Sequence, residues 1–189
     1  MDLNATSDAE LLSAYVKGNT NAFRTLEERY RRPLFAWLVS SLSNRSDAED
    51  IYQDVWLKII KKADTFKNVS FRAWLWKIAR NRVIDFRRKK RPDLTLDATY
   101  SEDGLPMVDR IKSKERGPAG SVEIDDMTQK VMMVVDQLPE NQREVFLMRM
   151  QAHLSFKEIS ESLQIPINTA LGRMHDALKK VKKKMTEVL

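Results

Sequence analysis

The residues that break helices are gathered in one window of this chain. Residues 92–121, "PDLTLDATYSEDGLPMVDRIKSKERGPAGS", hold three of the six prolines and three of the five glycines. Proline removes a backbone donor and glycine loosens the backbone, so helices stop where the two cluster. The flanking stretches show no period-two alternation of β-branched residues, the mark of strands. This distribution predicts an all-α chain of two small helical domains, 1–91 and 122–189, joined by an extended linker at 92–121. A connection of that length is out of scale inside one compact domain.

In the first stretch, Ser7 reads as the N-cap of a helix that spaces Leu11, Leu12, Tyr15 and Val16 helically and stops at Gly18-Asn19. A second helix from Thr20 lines up Phe23, Leu26, Tyr30, Leu34, Trp37 and Leu38, and Pro33 inside that stripe predicts a kink or break near Arg32. Ser46 and Glu49 form a capping-box signature before a third helix. Ile51, Val55 and Ile59 make one apolar line along it, and Tyr52, Trp56 and Ile60 the next. Asp47, Asp50 and Asp54 fall on the opposite side. The helix dipole favours acids in the first turn, which leaves Asp54 unexplained. After the polar connector "DTFKNVS", Ser70 caps a fourth helix that ends before Pro92. Leu75, Ile78, Ala79 and Val83 turn to a core there, and Lys77, Arg80, Arg87 and Arg88 to the other side.

In the second stretch, a helix is expected from about 122 to 137, then a boundary at Leu138-Pro139 and a helix through "NQREVFLMRMQA". Ser155 and Glu158 make another capping box. "QIPIN" is a tight turn, and Asn168 or Thr169 caps a last helix with Ala170, Met174, Ala177, Leu178 and Val181 inward. Two short helices across a tight turn, the second ending in a basic run, form a helix-turn-helix pattern.

Charge separates the two stretches. Between 58 and 91, 13 Lys or Arg residues face only Asp64 and Asp85, whereas 122–189 balances ten bases with ten acids. Such a block is a polyanion footprint. Its densest part, "FRAWLWKIARNRVIDFRRKKR", adds two tryptophans and two phenylalanines. Basic side chains grip phosphates and aromatic faces support unstacked bases, so the combination suits single-stranded nucleic acid.

Other classes fall away. The chain has no cysteine, which excludes disulfides, Cys-based zinc sites and thiol catalysis. His153 and His175 are too few and too isolated for a metal site. No glycine-rich phosphate loop, Ser-His-Asp grouping or convincing carboxylate pair is present, so no catalytic residue, metal or cofactor is expected. The N-terminus lacks the basic and apolar regions of a signal peptide, and no apolar run approaches about 18 residues, so a cytoplasmic protein with no membrane partner is expected.

Together these blocks resemble the sigma factors of bacterial RNA polymerase, in particular the small two-domain extracytoplasmic-function (ECF) group. "AFRTLEERYRRPLFAWL" resembles the family's first block, and "DAEDIYQDVWLKI" the segment that docks on the polymerase clamp helices. "FRAWLWKIARNRVIDFRRKK" is similar to the block that opens and reads the −10 element. "LPENQREVFLMR" and "SFKEISESLQIPINTALGRMHDALKKV" resemble the −35 reading domain. The resemblance covers nearly the whole chain apart from the linker.

It implies a factor that binds core RNA polymerase and places its two domains on promoter DNA, double-stranded at −35 and single-stranded at −10. For the −10 strand it points to Phe66, Asn68, Phe71, Trp76, Lys77, Arg80, Arg87 and Arg88, with Trp74 read as core. For −35 it points to Lys157, Asn168, Thr169, Leu171 and Arg173, with Arg149, Lys179 and Lys180 as further phosphate candidates. For polymerase docking it points to Asp47, Asp50, Gln53 and Asp54. The basic end "KKVKKKM" is assigned to the polymerase flap, to DNA or to water, and the linker to the RNA path or to a plain tether. Relatives of this type are commonly held by an anti-sigma factor; the free chain is expected to be a monomer. Two departures stand out: Gln164 occupies a turn position usually held by glycine, and Leu171-Gly172 replaces Lys-Ser. Gly172 is therefore expected to permit a close approach to DNA or a neighbouring helix. A stand-alone helix-turn-helix regulator is the rival reading, and a nucleic-acid-processing enzyme a weaker one.

Overall fold

The computed structural model describes residues 5–42, 44–67, 70–90 and 126–188; Asn68 and the linker 92–121 lie outside them. Every α-helix described is one of α1 (Asp8–Val16), α2 (Thr20–Ser41), α3 (Arg45–Lys62), α4 (Phe71–Lys90), α5 (Asp126–Val135), α6 (Glu140–Met150), α7 (Phe156–Leu163) and α8 (Ile167–Val188). A single 3-10 turn, Ala63–Thr65, follows α3. No strand occurs among the described residues.

Helices α1 to α4 surround an aromatic core. Tyr30, Trp37, Trp56, Phe71 and Trp76 are all buried in it. Tyr30 sits 5.6 Å from Phe71 and 5.9 Å from Trp76 between ring centroids, within the range where aromatic pairs attract. The core of α5 to α8 is mainly aliphatic, with Val135, Leu147, Leu154, Ile159, Ala170 and Ala177 beside Phe146, Met148 and Met174. The two cores merge into one apolar cluster because α7 lies against α4 and α6 against α2.

Local chemistry accounts for the ends of several helices. Ser7 accepts from the Glu10 amide and Glu10 returns a bond to the Ser7 amide, a complete capping box. Ser155 and Glu158 form a second one at α7. Ser70 Oγ accepts from the Ala73 amide at 3.3 Å and opens α4.

Elsewhere the boundaries depart from expectation. α2 runs unbroken through Pro33. Leu26, Leu34 and Leu38 are fully buried on both sides of that residue, and packing over two turns outweighs the roughly 3 kcal/mol that an internal proline costs. Asn44, not Ser46, caps α3: its side chain accepts from the Ser46 amide at 2.9 Å, and Glu49 pairs with Arg45 instead. α8 begins at Ile167, so Asn168 and Thr169 lie in its first turn rather than ahead of it. Ile60 and Leu178, expected inward, are 39% and 47% exposed.

Candidate nucleic-acid interface

α4 begins in aromatic surroundings and ends in a basic run. Phe66, Phe71 and Trp74 form a triangle with centroid separations of 5.1 to 6.0 Å at the connector that precedes the helix. Phe71 is its buried corner, while Phe66 and Trp74 are half-buried. Trp76 is fully buried, against the expectation that placed it on the DNA side and Trp74 in the core. Helical spacing explains the exchange. Trp76 shares its stripe with buried Ala79 and Val83, at i+3 and i+7, whereas Trp74 shares its own with half-buried Lys77 and exposed Asn81.

The basic residues of α4 fare differently along its length. Lys77 is half-buried and Arg88 exposed, the latter 3.4 Å from Asp85. Arg80 Nε donates to Glu144 Oε1 at 2.6 Å, and Arg87 Nη1 to Glu140 Oε1 at 2.5 Å. Arg87 also donates to the Ser41 carbonyl. Burial pushes the Glu144 carboxyl up, and Arg80 opposes the shift. Burial also acts on Glu140, but Arg87, Arg143 and Arg80 hold it below the ordinary value.

The outer face of α3 presents Asp50, Gln53 and Asp54, all exposed. Asp47 differs: Lys90 Nζ donates to it at 2.7 Å, which ties the start of α3 to the end of α4. Leu57 and Ile60, 52% and 39% exposed, continue the acidic face by one to two turns. In the sequence Ile60 joins the apolar line of Tyr52 and Trp56 and Leu57 is not singled out, although Leu57 at i+7 from Asp50 lies on the same stripe.

α7 and α8 meet across Gln164, which adopts the left-handed conformation (φ 56, ψ 43) that ends α7. Ser160 Oγ donates to the Ile165 carbonyl at 2.6 Å and fixes the turn. At the start of α8, Asn168 and Leu171 are exposed and Thr169 half-buried. Arg173 is only 9% exposed. Lys157, Lys179 and Lys180 are exposed, whereas Arg149 donates to the Leu154 carbonyl at 2.8 Å and lies over the Phe156 ring. Among the described residues, no neighbour lies within 4 Å of a Cβ built on Gly172, so the expected approach of another helix is not found there.

Known proteins match this arrangement along the chain. The model of Sigma-70 region 2 matches residues 26–92 and that of Sigma-70 region 4 residues 128–181. The ECF RNA polymerase sigma factor SigW of Bacillus subtilis is 30% identical over 174 residues, 91% of this chain and 93% of that protein. The chain belongs to the ECF sigma factors. The ECF RNA polymerase sigma-E factor of Escherichia coli (strain K12) is 26% identical over 97% of this chain and 96% of its own length. Among solved structures, CnrH in complex with the cytosolic domain of CnrY is similar with a TM-score of 0.68 at 22% identity, covering 95% and 97% of the two chains. The sigma factor RpoE of Bartonella quintana, solved with the anti-sigma factor NepR, gives 0.65 at 21% identity, covering 87% and 96%.

As an ECF sigma factor the chain directs RNA polymerase to promoters, and the stand-alone regulator is not favoured. The region 2 match takes in α3, α4 and most of α2; the region 4 match takes in most of α5, α6, α7 and most of α8. Among the described residues, no helix of this sigma factor is long and apolar enough to cross a membrane, and no cluster of potential metal ligands occurs.

Proposed function

We propose that three surfaces divide the work of this sigma factor. Residues 1–91 form the unit that docks on core polymerase and opens the −10 element, 92–121 tether, and 122–189 the unit that reads −35. Lys77, Arg80, Arg87 and Arg88 of α4 grip the −10 strand, with Phe66, Asn68 and Trp74 at the connector beside the captured base. Phe71 and Trp76 support that surface from the core rather than stacking on DNA. Asn168, Thr169 and Leu171 enter the −35 major groove from the start of α8, with Arg173 as a base reader and Lys157 on a phosphate. Asp50, Gln53 and Asp54 meet basic residues of polymerase, Asp47 having the additional task of holding α4.

The observation that carries this reading is the division of α4: apolar residues fill one side and four bases occupy the other, beside a half-buried aromatic pair. The chain supplies recognition and no bond-making residue. It acts in the cytoplasm, at the nucleoid through polymerase, and is monomeric when free. An anti-sigma factor, such as the NepR bound to one structural neighbour, is a fitting partner.

The test is capture of core RNA polymerase by the purified chain, followed by transcription from a fragmented genomic library. Binding with new, salt-sensitive start sites is expected. The double variant Asp50→Lys with Asp54→Lys should lose roughly a hundredfold or more in polymerase affinity, since like charges set against a basic face cost several kcal/mol. Its thermal melt should be unchanged, as exposed sites rarely alter stability by more than about 0.5 kcal/mol. Unchanged polymerase binding would remove the docking assignment.

A further inference from the structure

The outward face of α8 offers few hydrogen-bonding groups at the end assigned to base edges. Ala170, Met174 and Ala177 are buried and seat the helix on α5, α6 and α7. Asn168, Gly172, His175 and Lys179, spaced three or four apart, run along the opposite side and are exposed. Leu171 borders that line and is 43% exposed. No Lys or Arg is exposed on α8 before Lys179. Among the described residues, nothing lies within 4 Å of a Cβ built on Gly172. The middle of the face is therefore open backbone beside an exposed leucine.

The leucine side chain has no donor and no acceptor, so it cannot match the hydrogen-bond pattern of a base pair. Among its base edges the major groove displays one apolar group, the C5-methyl of thymine. A leucine seated in that groove recognises sequence through this methyl. Two features favour DNA as the occupant. Leu171 lies in the N-terminal part of α8, the part that a recognition helix presents to base edges. Exposed lysines flank it, Lys157 on α7 and Lys179 and Lys180 further along α8. Lys179 is eight residues on, about 12 Å of helix rise, which exceeds the roughly 8.5 Å depth of the major groove. It reaches the phosphates at the groove edge while Leu171 is at the floor. Ile167 and Leu178 are exposed on the same flank, so an apolar protein surface is the competing occupant.

We propose that Leu171 reads the C5-methyl group of a thymine in the −35 element, and that Gly172 leaves the backbone of α8 open enough to bring the leucine to the groove floor. The proposal rests on the assignment of the start of α8 to −35. It names the feature of the DNA that this chain selects there, a methyl group rather than a guanine or a cytosine edge.

The test uses the full chain with core polymerase, on a promoter recovered from the genomic library. Each thymine of its −35 segment, on either strand, is replaced singly by deoxyuridine, which keeps every hydrogen-bonding group and lacks only the methyl. Competition against the unaltered promoter gives the relative affinity. One replacement is expected to weaken binding about fourfold, the size of one buried methyl-sized group. In Leu171→Ala, whose helices are checked by circular dichroism, the same replacement should no longer matter. A −35 segment without thymine, deoxyuridine without effect at every position, or an effect undiminished in Leu171→Ala would overturn the methyl contact. Loss of core-polymerase binding by Leu171→Ala, with no deoxyuridine effect, would assign the leucine to a protein partner instead. Asn168→Ala on promoters with single base changes at −35 tests the underlying assignment separately: an altered base preference keeps α8 on −35 even where the methyl contact fails.

Discussion

α4 and α8 have similar lengths, 20 and 22 residues, and both carry basic runs toward their C-terminal ends. The protein nevertheless holds them in opposite ways. α4 is enclosed, with Leu75, Trp76, Ala79 and Val83 in the aromatic core on one side and Arg80 and Arg87 paired with α6 on the other. α8 is seated on one side only, through Ala170, Met174 and Ala177, and leaves Ile167, Leu171 and Leu178 exposed. A basic helix is thus not in itself an available one: availability depends on whether another part of the chain carries acids at the right spacing.

The tryptophans of α4 offer the largest contrast. Trp76→Ala should cost about 3–5 kcal/mol, the usual range for deleting a fully buried aromatic. Half-buried Trp74 should cost less than half of that when replaced by alanine, while weakening single-stranded DNA binding. Denaturant melts of both variants check the order; equal losses would erase the distinction between a core face and a DNA face.

Arg173→Ala probes the other helix. Loss of discrimination between the selected −35 duplex and scrambled duplexes, by about 1–3 kcal/mol, is expected for a base-reading arginine. Equal weakening on every sequence would assign Arg173, only 9% exposed here, to the support of α8.

Glu158 links α7 to α4, since it completes the α7 capping box and accepts from Ser70 at the start of α4. Partial burial pushes its carboxyl up, but the Ser155 amide and the Ser70 and Ser155 hydroxyls hold it below the ordinary 4.5. The unfolded chain therefore binds the proton more readily in that window. The stability due to Glu158 is present above about pH 4.5 and is lost as pH falls through the folded value. Glu158→Gln should show a shallower acid loss than the unaltered protein in melts between neutral and acidic pH; parallel curves would exclude the linkage.

The smallest effect lies in the turn that delivers α8. Gln164 pays for a left-handed backbone that glycine adopts freely. Gln164→Gly should therefore raise stability by up to about 1 kcal/mol, part of the gain being offset by a looser unfolded chain. A lower melting temperature would show that the Gln164 side chain contributes more than its backbone costs.

Much of this architecture was legible beforehand because it depends on neighbours in the chain. The capping boxes at Ser7 and Ser155 use residues three apart. The stripe from Leu26 to Leu38 repeats at the helical period, so its inward face could be read directly. Errors arose where two nearby residues had similar claims on one position. Trp74 and Trp76 differ in apolar character by nothing, and Trp76 is the one that falls on the stripe packed against Tyr30 of α2. Leu178 adjoins Ala177 on α8, and the inward sector was wide enough for one of them. Ser46 reads as the cap of α3 because Glu49 follows it by three, but the helix starts earlier and Asn44 caps it.

The amino-acid sequence by itself determined the all-helical class, the grouping of breakers at 92–121, the positive block on α4 and the acidic stripe on α3, because each depends on local spacing or on a sum of charges. The tertiary structure alone decided that Arg80 and Arg87 meet Glu144 and Glu140, 64 and 53 residues away. No periodicity records such a pairing. It arises where two independently patterned helices pack, and the cost of removing charge from water is offset only when the opposite charge arrives with it.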